Sequence, residues 1–215
     1  LISPNGSPFD WPKPDLRMNV AVARVTGTEL PLVYLNLVGG QDELVFDGAS
    51  FVLNADRSLA VQMPAWEESI VLTEWARESG GWVCRTGPRA HLPEGDASAY
   101  SACVLGLRDY VGKNGFPGVV LGLSGGVDSA LVAAIAVDAL GSERVRAVML
   151  PYEYTSKESL EDAAACAKAL GIAYDVVPIA APVDGFSDAL ADLFSGRNAD
   201  ITEENLQSRA RGTIL

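Results

Sequence analysis

The chain has 215 residues, of which 48% are hydrophobic and 20% are charged, and its formal net charge is −12. This size and composition are typical of a globular protein with one sizeable core or two modest ones. The negative charge argues against nucleic acid and membrane surfaces as partners, since both present anionic groups. No apolar run approaches the ~20 residues that a membrane helix needs.

The cysteines and the chain ends add two expectations. Cys84, Cys103 and Cys166 form no CxxC pair and no Cys/His pattern, which argues against a zinc site and favours a reducing compartment. We therefore expect a cytoplasmic protein. Because the chain starts at Leu1 without a methionine and stops at Leu215 within a helical pattern, we also expect a piece cut at both ends.

The first predicted element is a helix over residues 15–28. Its apolar residues predict that the side carrying Leu16, Val20 and Val22 is buried. The run 32–38 follows, and its branched and aromatic residues predict a strand.

Strands and turns continue to residue 84. Turns are expected at Gly39-Gly40 and at residues 54–56. These segments lie before and after a second predicted strand over residues 50–53. Residues 68–75 predict a further strand. Residues 85–98 are polar and rich in glycine and proline, which is typical of a linker between domains.

From residue 99 onward, helices and strands alternate. Residues 99–113 predict a helix, and residues 119–123 predict a strand that is apolar throughout, as expected for a parallel strand covered on both faces. The following elements are a helix over 129–140, a strand over 145–150, a helix over 159–170 closed by Gly171, and a strand over 173–178. This order predicts a doubly wound parallel sheet with its ligand site at the carboxyl ends of the strands.

The strongest motif, Ser124-Gly125-Gly126-Val127-Asp128-Ser129, lies between the first strand of this sheet and its helix. Consecutive glycines let the backbone approach a phosphate, a helix N-terminus offers unpaired N–H groups, and Ser124 and Ser129 add hydroxyls. A Walker loop carries a lysine, whereas this loop offers Asp128, and a carboxylate beside phosphates favours a bridging Mg²⁺. The alternative is a tight turn with Asp128 as a helix-cap acid.

The loop resembles the SGGxDS signature of the ATP-pyrophosphatase superfamily, whose members adenylate a carboxyl or carbonyl oxygen and release pyrophosphate. Residues 150–156 and 203–213 are similar to segments of NAD synthetases. Residues 5–9 and 34–48 resemble the later part of the nitrilase-like glutaminase domain fused to many bacterial NAD synthetases. Nearly the whole chain thus resembles glutamine-dependent NAD synthetases.

This resemblance implies an α/β protein in three parts. Residues 1–84 would be the end of an α+β nitrilase-like glutaminase sandwich, 85–98 a linker, and 99–215 the start of the doubly wound ATP-pyrophosphatase domain. The family's glutaminase triad of Glu, Lys and Cys would precede Leu1, so no glutaminase nucleophile is expected in this chain.

The resemblance also implies a ligase of NAD biosynthesis that amidates deamido-NAD through an adenylated intermediate, with ammonia from glutamine. ATP would be the co-substrate and Mg²⁺ the metal, held by Asp128. The residues implied for ATP and pyrophosphate are Gly122, Leu123, Ser124, Gly125, Gly126, Val127, Asp128, Ser129 and Leu150, the last through its backbone at adenine.

Two further groups of site residues have alternative interpretations. Thr202 is predicted as a helix N-cap, so that Asn205 and Arg209 share a helix face. Spacing alone favours a solvated face, whereas the resemblance assigns Asn205, Arg209 and Arg211 to deamido-NAD. Ser7 matches a position near the glutamine pocket. The sequence around it, Asn-Gly-Ser-Pro, is equally typical of a turn.

Two other functions remain open. The chain could be an inactive piece that binds nucleotide or serves assembly, or it could belong to another ATP-pyrophosphatase ligase such as GMP synthetase. The expected partners are small-molecule substrates, and the resemblance implies a homo-oligomer.

Overall fold

The computed structural model describes residues 1–153, 155–195 and 201–215, without the side chains of Thr86 and Glu203. The chain divides into two compact units, Leu1–Asn114 and Gly115–Leu215. None of the described helices combines the length and apolar character needed to cross a membrane.

The first unit contains eight strands and two helices. They are β1 (Ile2–Asn5), α1 (Lys13–Thr28), β2 (Leu32–Asn36), β3 (Val38–Gln41), β4 (Leu44–Asp47), β5 (Phe51–Leu53), β6 (Leu59–Gln62), β7 (Glu74–Glu78), β8 (Gly81–Thr86) and α2 (Gly95–Lys113). A four-stranded sheet has the order β1-β2-β5-β6, in which β1 and β2 are parallel and the other pairs antiparallel. The pairs β3-β4 and β7-β8 form separate hairpins.

The helix α1 packs on this sheet and forms a core with it. The buried members of the core are Ala21, Val25, Leu32, Phe51 and Leu53. Val22, expected on the buried side, packs against this cluster and is partly buried. The ring of Tyr34 stacks on that of Phe51 with centroids 4.8 Å apart, which adds aromatic contact area to the cluster.

The predicted buried face of α1 is wrong for two of its three residues. The buried line is Arg17, Ala21 and Val25, while Leu16 and Val20 are about half exposed. Arg17 lies one position further along than Leu16, which is a rotation of about 100° around the helix. The apolar pattern could not reveal which face is buried, because Arg17 is buried in place of Leu16 and pairs there with the carboxylate of Asp47.

Two strand predictions and one turn prediction also need correction. The run 32–38 is divided between β2 and β3, and residues 68–73 are not a strand because β7 begins at Glu74. Gly39 and Gly40, expected in a turn, lie inside β3. There the glycines let α2 approach closely, since a Cβ on Gly40 would lie 3.1 Å from the Cα of Gly106 in α2.

The predicted linker contains regular structure at both ends. Residues 85 and 86 complete β8, Arg89 forms a bridge with Gln62, and α2 begins at Gly95. The helix α2 packs on β3 and β4 within the first unit. The domain boundaries 1–84 and 99–215 remain predictions.

The second unit has the predicted β-α-β-α-β order. Its elements are β9 (Val119–Gly122), α3 (Val127–Leu140), β10 (Val145–Met149), α4 (Lys157–Leu170), β11 (Ala173–Val176), α5 (Ala180–Phe194) and α6 (Ile201–Ile214), with a short 3-10 turn at Ser142–Arg144. The three strands are parallel in the order β11-β10-β9. Gly171 closes α4 in the left-handed region, as predicted.

Helices cover both faces of this sheet, which confirms the doubly wound architecture. Both α3 and α4 contact β10 and each other. A second cluster joins β10 to α5 and α6 and consists of Val148, Leu150, Ile179, Val183 and Ala210. Because neighbouring side chains of a strand point to opposite faces, the fully buried Ala147 belongs to the other layer.

The expectation for the first strand of this sheet is partly wrong. Val120 is 47% exposed, so β9 is not covered on both faces by the described residues. In the described sheet β9 is an edge strand, with β10 on one side. Its apolar sequence indicates a parallel strand correctly but not its position in the sheet.

Candidate functional site

Hydrogen bonds of Ser124 and Ser129 hold the shape of the loop after β9. Leu123 extends the ladder by one bond, since its N–H donates to the carbonyl of Val148 at 3.0 Å. The Ser129 hydroxyl then accepts from the N–H of Ser124 at 3.1 Å and donates to the carbonyl of Gly126 at 2.9 Å. The Gly126 N–H donates to the Ser124 hydroxyl at 3.3 Å. The two hydroxyls, predicted as ligand donors, thus also fix the shape of the loop.

Gly125 is required for two separate reasons. Its φ of +85° lies in the region that side chains disfavour. A Cβ at this position would also lie 2.3 Å from the carbonyl oxygen of Ser159 and 2.8 Å from its Cα, both backbone atoms of α4. The glycine therefore lets the loop rest directly against the first turn of α4.

The N-terminus of α3 offers backbone donors beside this loop. Gly126 is its N-cap and has no side chain, and no side-chain cap bond is found for this helix. Val127 and Asp128 in the first turn are exposed. The first N–H groups of a helix have no partner within it, and together with the helix dipole they attract anions. This geometry suits a phosphate group.

A cavity of about 480 Å³ opens beside the loop, at the carboxyl ends of β9 and β10. It is lined by Gly122, Leu123, Ser124, Val148, Met149, Leu150, Thr155, Ser156, Ser159, Arg211 and Leu215. The fold thus brings three residues of the predicted loop together with Leu150 and Arg211. The predicted residues 125–129 do not line the cavity but continue from it into α3.

Three hydroxyl residues of the cavity wall were not predicted. Ser156 is the N-cap of α4, accepting from the Ser159 N–H at 3.0 Å and donating to its hydroxyl at 2.9 Å. The Thr155 hydroxyl accepts from the N–H of Tyr152 at 3.0 Å. They follow the end of β10, so the rule that places ligands at strand ends could have identified them. Tyr154, in the same segment, lies outside the described residues.

The three predicted residues of α6 lie on two sides of the helix, with Arg211 opposite to Asn205 and Arg209. Arg211 reaches the cavity, where its Nε donates to the carbonyl of Leu150 at 3.2 Å. Asn205 and Arg209 are exposed and do not line it. Arg211 is two positions from Arg209, a rotation of about 200°, so the two arginines point in nearly opposite directions.

The predicted N-cap of α6 is wrong. The helix already includes Ile201, so Thr202 lies within it and not at its cap. The side chain of Glu203, predicted in the first turn, lies outside the described residues.

Ser7 belongs to a buried polar network in the first unit. The guanidinium of Arg17 donates to the hydroxyl of Ser7 at 3.1 Å, to its carbonyl at 2.8 Å and to the carbonyl of Pro8 at 3.1 Å. It also pairs with Asp47, Nη1 to Oδ2, at 2.7 Å. The Asn36 side chain bonds the Ser7 backbone on both sides, accepting at 2.9 Å and donating at 3.1 Å. The Ser7 hydroxyl therefore has a structural partner, and its role at glutamine remains a prediction.

Comparison with known proteins gives one consistent result. A family model described as NAD synthase matches residues 99–215. The glutamine-dependent NAD(+) synthetase of Rhodobacter capsulatus is 55% identical over 100% of this chain and 39% of its own length. That of Acinetobacter baylyi is 44% identical over 98% of this chain and 39% of its own length.

A solved structure agrees with these relatives. The glutamine-dependent NAD+ synthetase from Acinetobacter baumannii, determined in complex with ADP, has a TM-score of 0.93 and 45% identity. The match covers 99% of this chain and 40% of that one. The chain therefore spans about two-fifths of the length of the proteins it matches.

Proposed function

The chain belongs to the NAD synthase family, and from this membership we propose that it is part of an ATP-dependent ligase that amidates deamido-NAD to NAD. The observation that carries the proposal is the loop between β9 and α3, whose shape is held by hydrogen bonds of its serines. This loop lies beside the cavity lined by Leu150 and Arg211. A phosphate-binding loop next to a nucleoside-sized cavity is the arrangement that ATP requires.

In this proposal the nucleotide lies across the carboxyl ends of the strands. The adenosine occupies the cavity of about 480 Å³, with the base at the backbone of Leu150. The phosphates lie at Ser124 to Ser129, where the backbone N–H groups of the loop and of α3 donate to them. The Acinetobacter baumannii relative, solved with ADP, supports a nucleotide at this fold.

The proposed chemistry has two steps. A carboxylate oxygen of deamido-NAD attacks the α-phosphate of ATP, forming a new P–O bond while the bond to pyrophosphate breaks. Ammonia then attacks the carbonyl carbon, AMP leaves with the former carboxylate oxygen, and loss of a proton gives the amide. Negative charge grows on the departing pyrophosphate, so donors fixed at Gly125 and in the first turn of α3 stabilise the transition state more than the ground state.

Asp128 is the residue that we propose to hold Mg²⁺. Among the described residues, no three His, Cys, Asp or Glu side chains come close enough to form a metal site of their own. Mg²⁺ is often bound by one or two carboxylates together with substrate phosphates and water, and the exposed Asp128 beside the phosphate loop fits that pattern. When bound, the metal would neutralise charge on the pyrophosphate.

The remaining assignments belong to the same proposal. Asn205 and Arg209, on the exposed side of α6, would meet deamido-NAD, and Ser7 would lie near glutamine in the nitrilase-like part. A homo-oligomer and a cytoplasmic location are also proposed. The comparisons do not favour a GMP synthetase or an inactive assembly module, because the relatives that match 98% and 100% of this chain are glutamine-dependent NAD(+) synthetases.

The first test is nucleotide binding by the purified chain, measured by titration calorimetry with ATP in the presence and absence of Mg²⁺. Wild-type protein is expected to bind Mg-ATP more tightly than free ATP. Absence of any ATP binding would contradict the proposal.

Asp128→Asn is expected to abolish most of the Mg²⁺ dependence. Loss of the carboxylate should weaken Mg-ATP binding by at least about tenfold, while metal-free ATP binds as well or better because one negative charge near the phosphates is gone. Asp162→Asn, which removes another exposed carboxylate from a helix of the same unit, is the matched control. Equal Mg²⁺ dependence in the two variants would remove Asp128 from the metal site.

A further inference from the structure

A cavity of about 440 Å³ lies in the first unit and is lined by the aromatic side chains of Phe9, Trp11, Phe51 and Trp66. We call it the aromatic cavity. The remaining wall is formed by the first turns of α1, the connection from β4 to β5, the segment after β6 and the segment that leads into α2. All of its residues belong to the first unit, so it shares none with the proposed nucleotide site.

Gln62 leaves one polar atom in the wall of this cavity without a partner. The residue is only 6% exposed. Its Nε2 donates to three backbone carbonyls, those of Ala49 at 3.1 Å, Ser50 at 3.4 Å and Met63 at 3.1 Å. Because a carbonyl can only accept, these bonds fix which end of the amide is the nitrogen. Within the described part of the chain no donor reaches Oε1. A nearly buried acceptor of this kind favours a ligand that donates a hydrogen bond.

The same wall holds strained backbone. Trp66 and Ala49 have φ values of +69° and +50°, a region that residues other than glycine seldom adopt. A bridge between Gly48 and Ala65 and the bond from the Trp66 N–H to the Asp47 carbonyl at 2.9 Å hold this conformation. The indole Nε1 of Trp66 is buried and has no partner among the described residues. Strained backbone and unsatisfied polar atoms are concentrated at functional sites, so these features favour a binding site over a packing gap.

The charge of the cavity favours a cation. Its charged lining residues are Asp15, Arg17, Asp47 and Glu94. Asp47 neutralises Arg17, with Nη1 and Oδ2 2.7 Å apart. Asp15 and Glu94 are exposed, and neither forms a salt bridge within the described residues. Two carboxylates therefore remain for a positively charged ligand.

The aromatic rings favour a planar cation. Phe9 and Trp66 contact each other edge to face with centroids 4.9 Å apart, whereas Trp11 is 60% exposed and much of its indole is open to a ligand. A guanidinium is planar, stacks on aromatic faces and is more weakly hydrated than an ammonium, so it loses less hydration energy on entering such a cavity. It also carries enough N–H donors for one carbonyl oxygen and two carboxylates.

We propose that the aromatic cavity binds a small organic guanidinium. An N–H of the ligand donates to Oε1 of Gln62, and the carboxylates of Asp15 and Glu94 balance its charge. The indole of Trp11 covers the planar group, and an alkyl substituent packs against Met18. This site is independent of the proposed ligase function.

The test is a titration of the full ¹⁵N-labelled chain with n-butylguanidinium, followed through the indole N–H signals of the four tryptophans. Trp11 and Trp66 line the cavity, whereas Trp75 and Trp82 do not and serve as internal references. The first two signals should shift with a Kd of about 1 mM, a usual strength for so small a ligand. n-Butylurea has planar donors without charge, and tetramethylammonium has charge without N–H donors. Each should bind at least about tenfold more weakly.

Substitution of an exposed ring tests the aromatic contact. Trp11→Ala should weaken n-butylguanidinium binding by about threefold to tenfold. Trp82→Ala removes an indole that is similarly exposed, at 54%, but does not line the cavity. It is the matched control and should leave the Kd unchanged.

Substitution of polar groups tests the charge and the acceptor. Asp15→Asn with Glu94→Gln should weaken binding by about threefold to tenfold, and most of this difference should disappear in about 1 M salt. Glu43→Gln with Glu74→Gln removes two exposed carboxylates of the first unit outside the cavity and is the control. Gln62→Met removes the acceptor and should also weaken binding, with thermal unfolding to show that the variant is folded.

Three results would overturn the proposal. The first is no shift of the cavity indoles at about 50 mM n-butylguanidinium, where a 1 mM site is nearly saturated. The second is equal affinity for n-butylurea, which would mean that charge is not recognised. The third is an unchanged Kd in both Trp11→Ala and the double carboxylate variant, which would place the ligand elsewhere. An unfolded Gln62→Met leaves these three criteria in force, and a folded one with the wild-type Kd overturns the role of Oε1.

Discussion

Gly125→Ala is expected to weaken ATP binding strongly and to destabilise the second unit. The new Cβ would meet backbone atoms of Ser159, 2.3 Å from the oxygen and 2.8 Å from the Cα, and backbone atoms cannot move aside by rotating a side chain. The loop and α4 must therefore separate. Overpacking costs about 1–3 kcal/mol and the positive φ roughly 1–2 kcal/mol more. A shift of the loop of about 1 Å should lower the affinity for ATP by roughly 100-fold, by analogy with misplaced catalytic groups.

Two glycine variants serve as comparisons for this experiment. Gly126→Ala places its Cβ 3.5 Å from the nearest atom, the Ser124 hydroxyl, at an extended backbone position, so a much smaller effect is expected. Gly185→Ala, in the middle of α5 with no atom within 4 Å of the new Cβ, should leave ATP binding unchanged and stabilise the helix by about 0.5–1 kcal/mol. The affinity is measured by titration calorimetry and the stability by thermal unfolding. ATP binding by Gly125→Ala at the wild-type level would show that the loop does not hold the phosphates.

Asp47→Ala is expected to lower the free energy of unfolding of the first unit by about 3–5 kcal/mol. The side chains of Arg17 and Asp47 are only 8% and 4% exposed, so removal of the carboxylate leaves a buried guanidinium without its counter-ion. The same guanidinium holds the backbone of Ser7 and Pro8, so the segment between β1 and α1 should loosen as well.

Tryptophan fluorescence during urea denaturation can measure this loss selectively. All four tryptophans, Trp11, Trp66, Trp75 and Trp82, lie in the first unit. Glu78→Ala, which breaks the exposed pair with Arg85 at 2.8 Å, is the control and should cost about 1 kcal/mol or less. Similar losses for the two variants would mean that the Arg17–Asp47 pair contributes no more than a surface ion pair.

A double substitution tests whether the ion pair itself or the packing of its two side chains provides the stability. Arg17→Met with Asp47→Leu removes both charges, so no uncompensated charge stays buried. The double variant should lose much less free energy of unfolding than Arg17→Met and Asp47→Leu, made singly, lose in total. The reason is that the two side chains interact directly. Additive costs would show that packing of each side chain, and not the ion pair, provides the stability.

The amino-acid sequence alone determined the architecture of the second unit and its main loop. Alternating apolar strands and helices predict the parallel sheet, and Gly171 marks the end of α4 because a left-handed residue is needed there. The pattern Ser124 to Ser129 predicts the strand-loop-helix anion site. These features depend on contacts and backbone angles among near neighbours in the chain, so they can be inferred from local patterns.

Only the tertiary structure decided which distant groups meet. The sequence does not show that Arg211 bonds the Leu150 carbonyl, 61 residues away, or that Gly125 rests on the backbone of Ser159. Nor does it show that α1 buries Arg17 in place of Leu16, because this choice depends on Asp47, 30 residues further along. Periodicity reports how apolar a face is, whereas these contacts arise when packing brings a buried polar group to the one partner that can satisfy it.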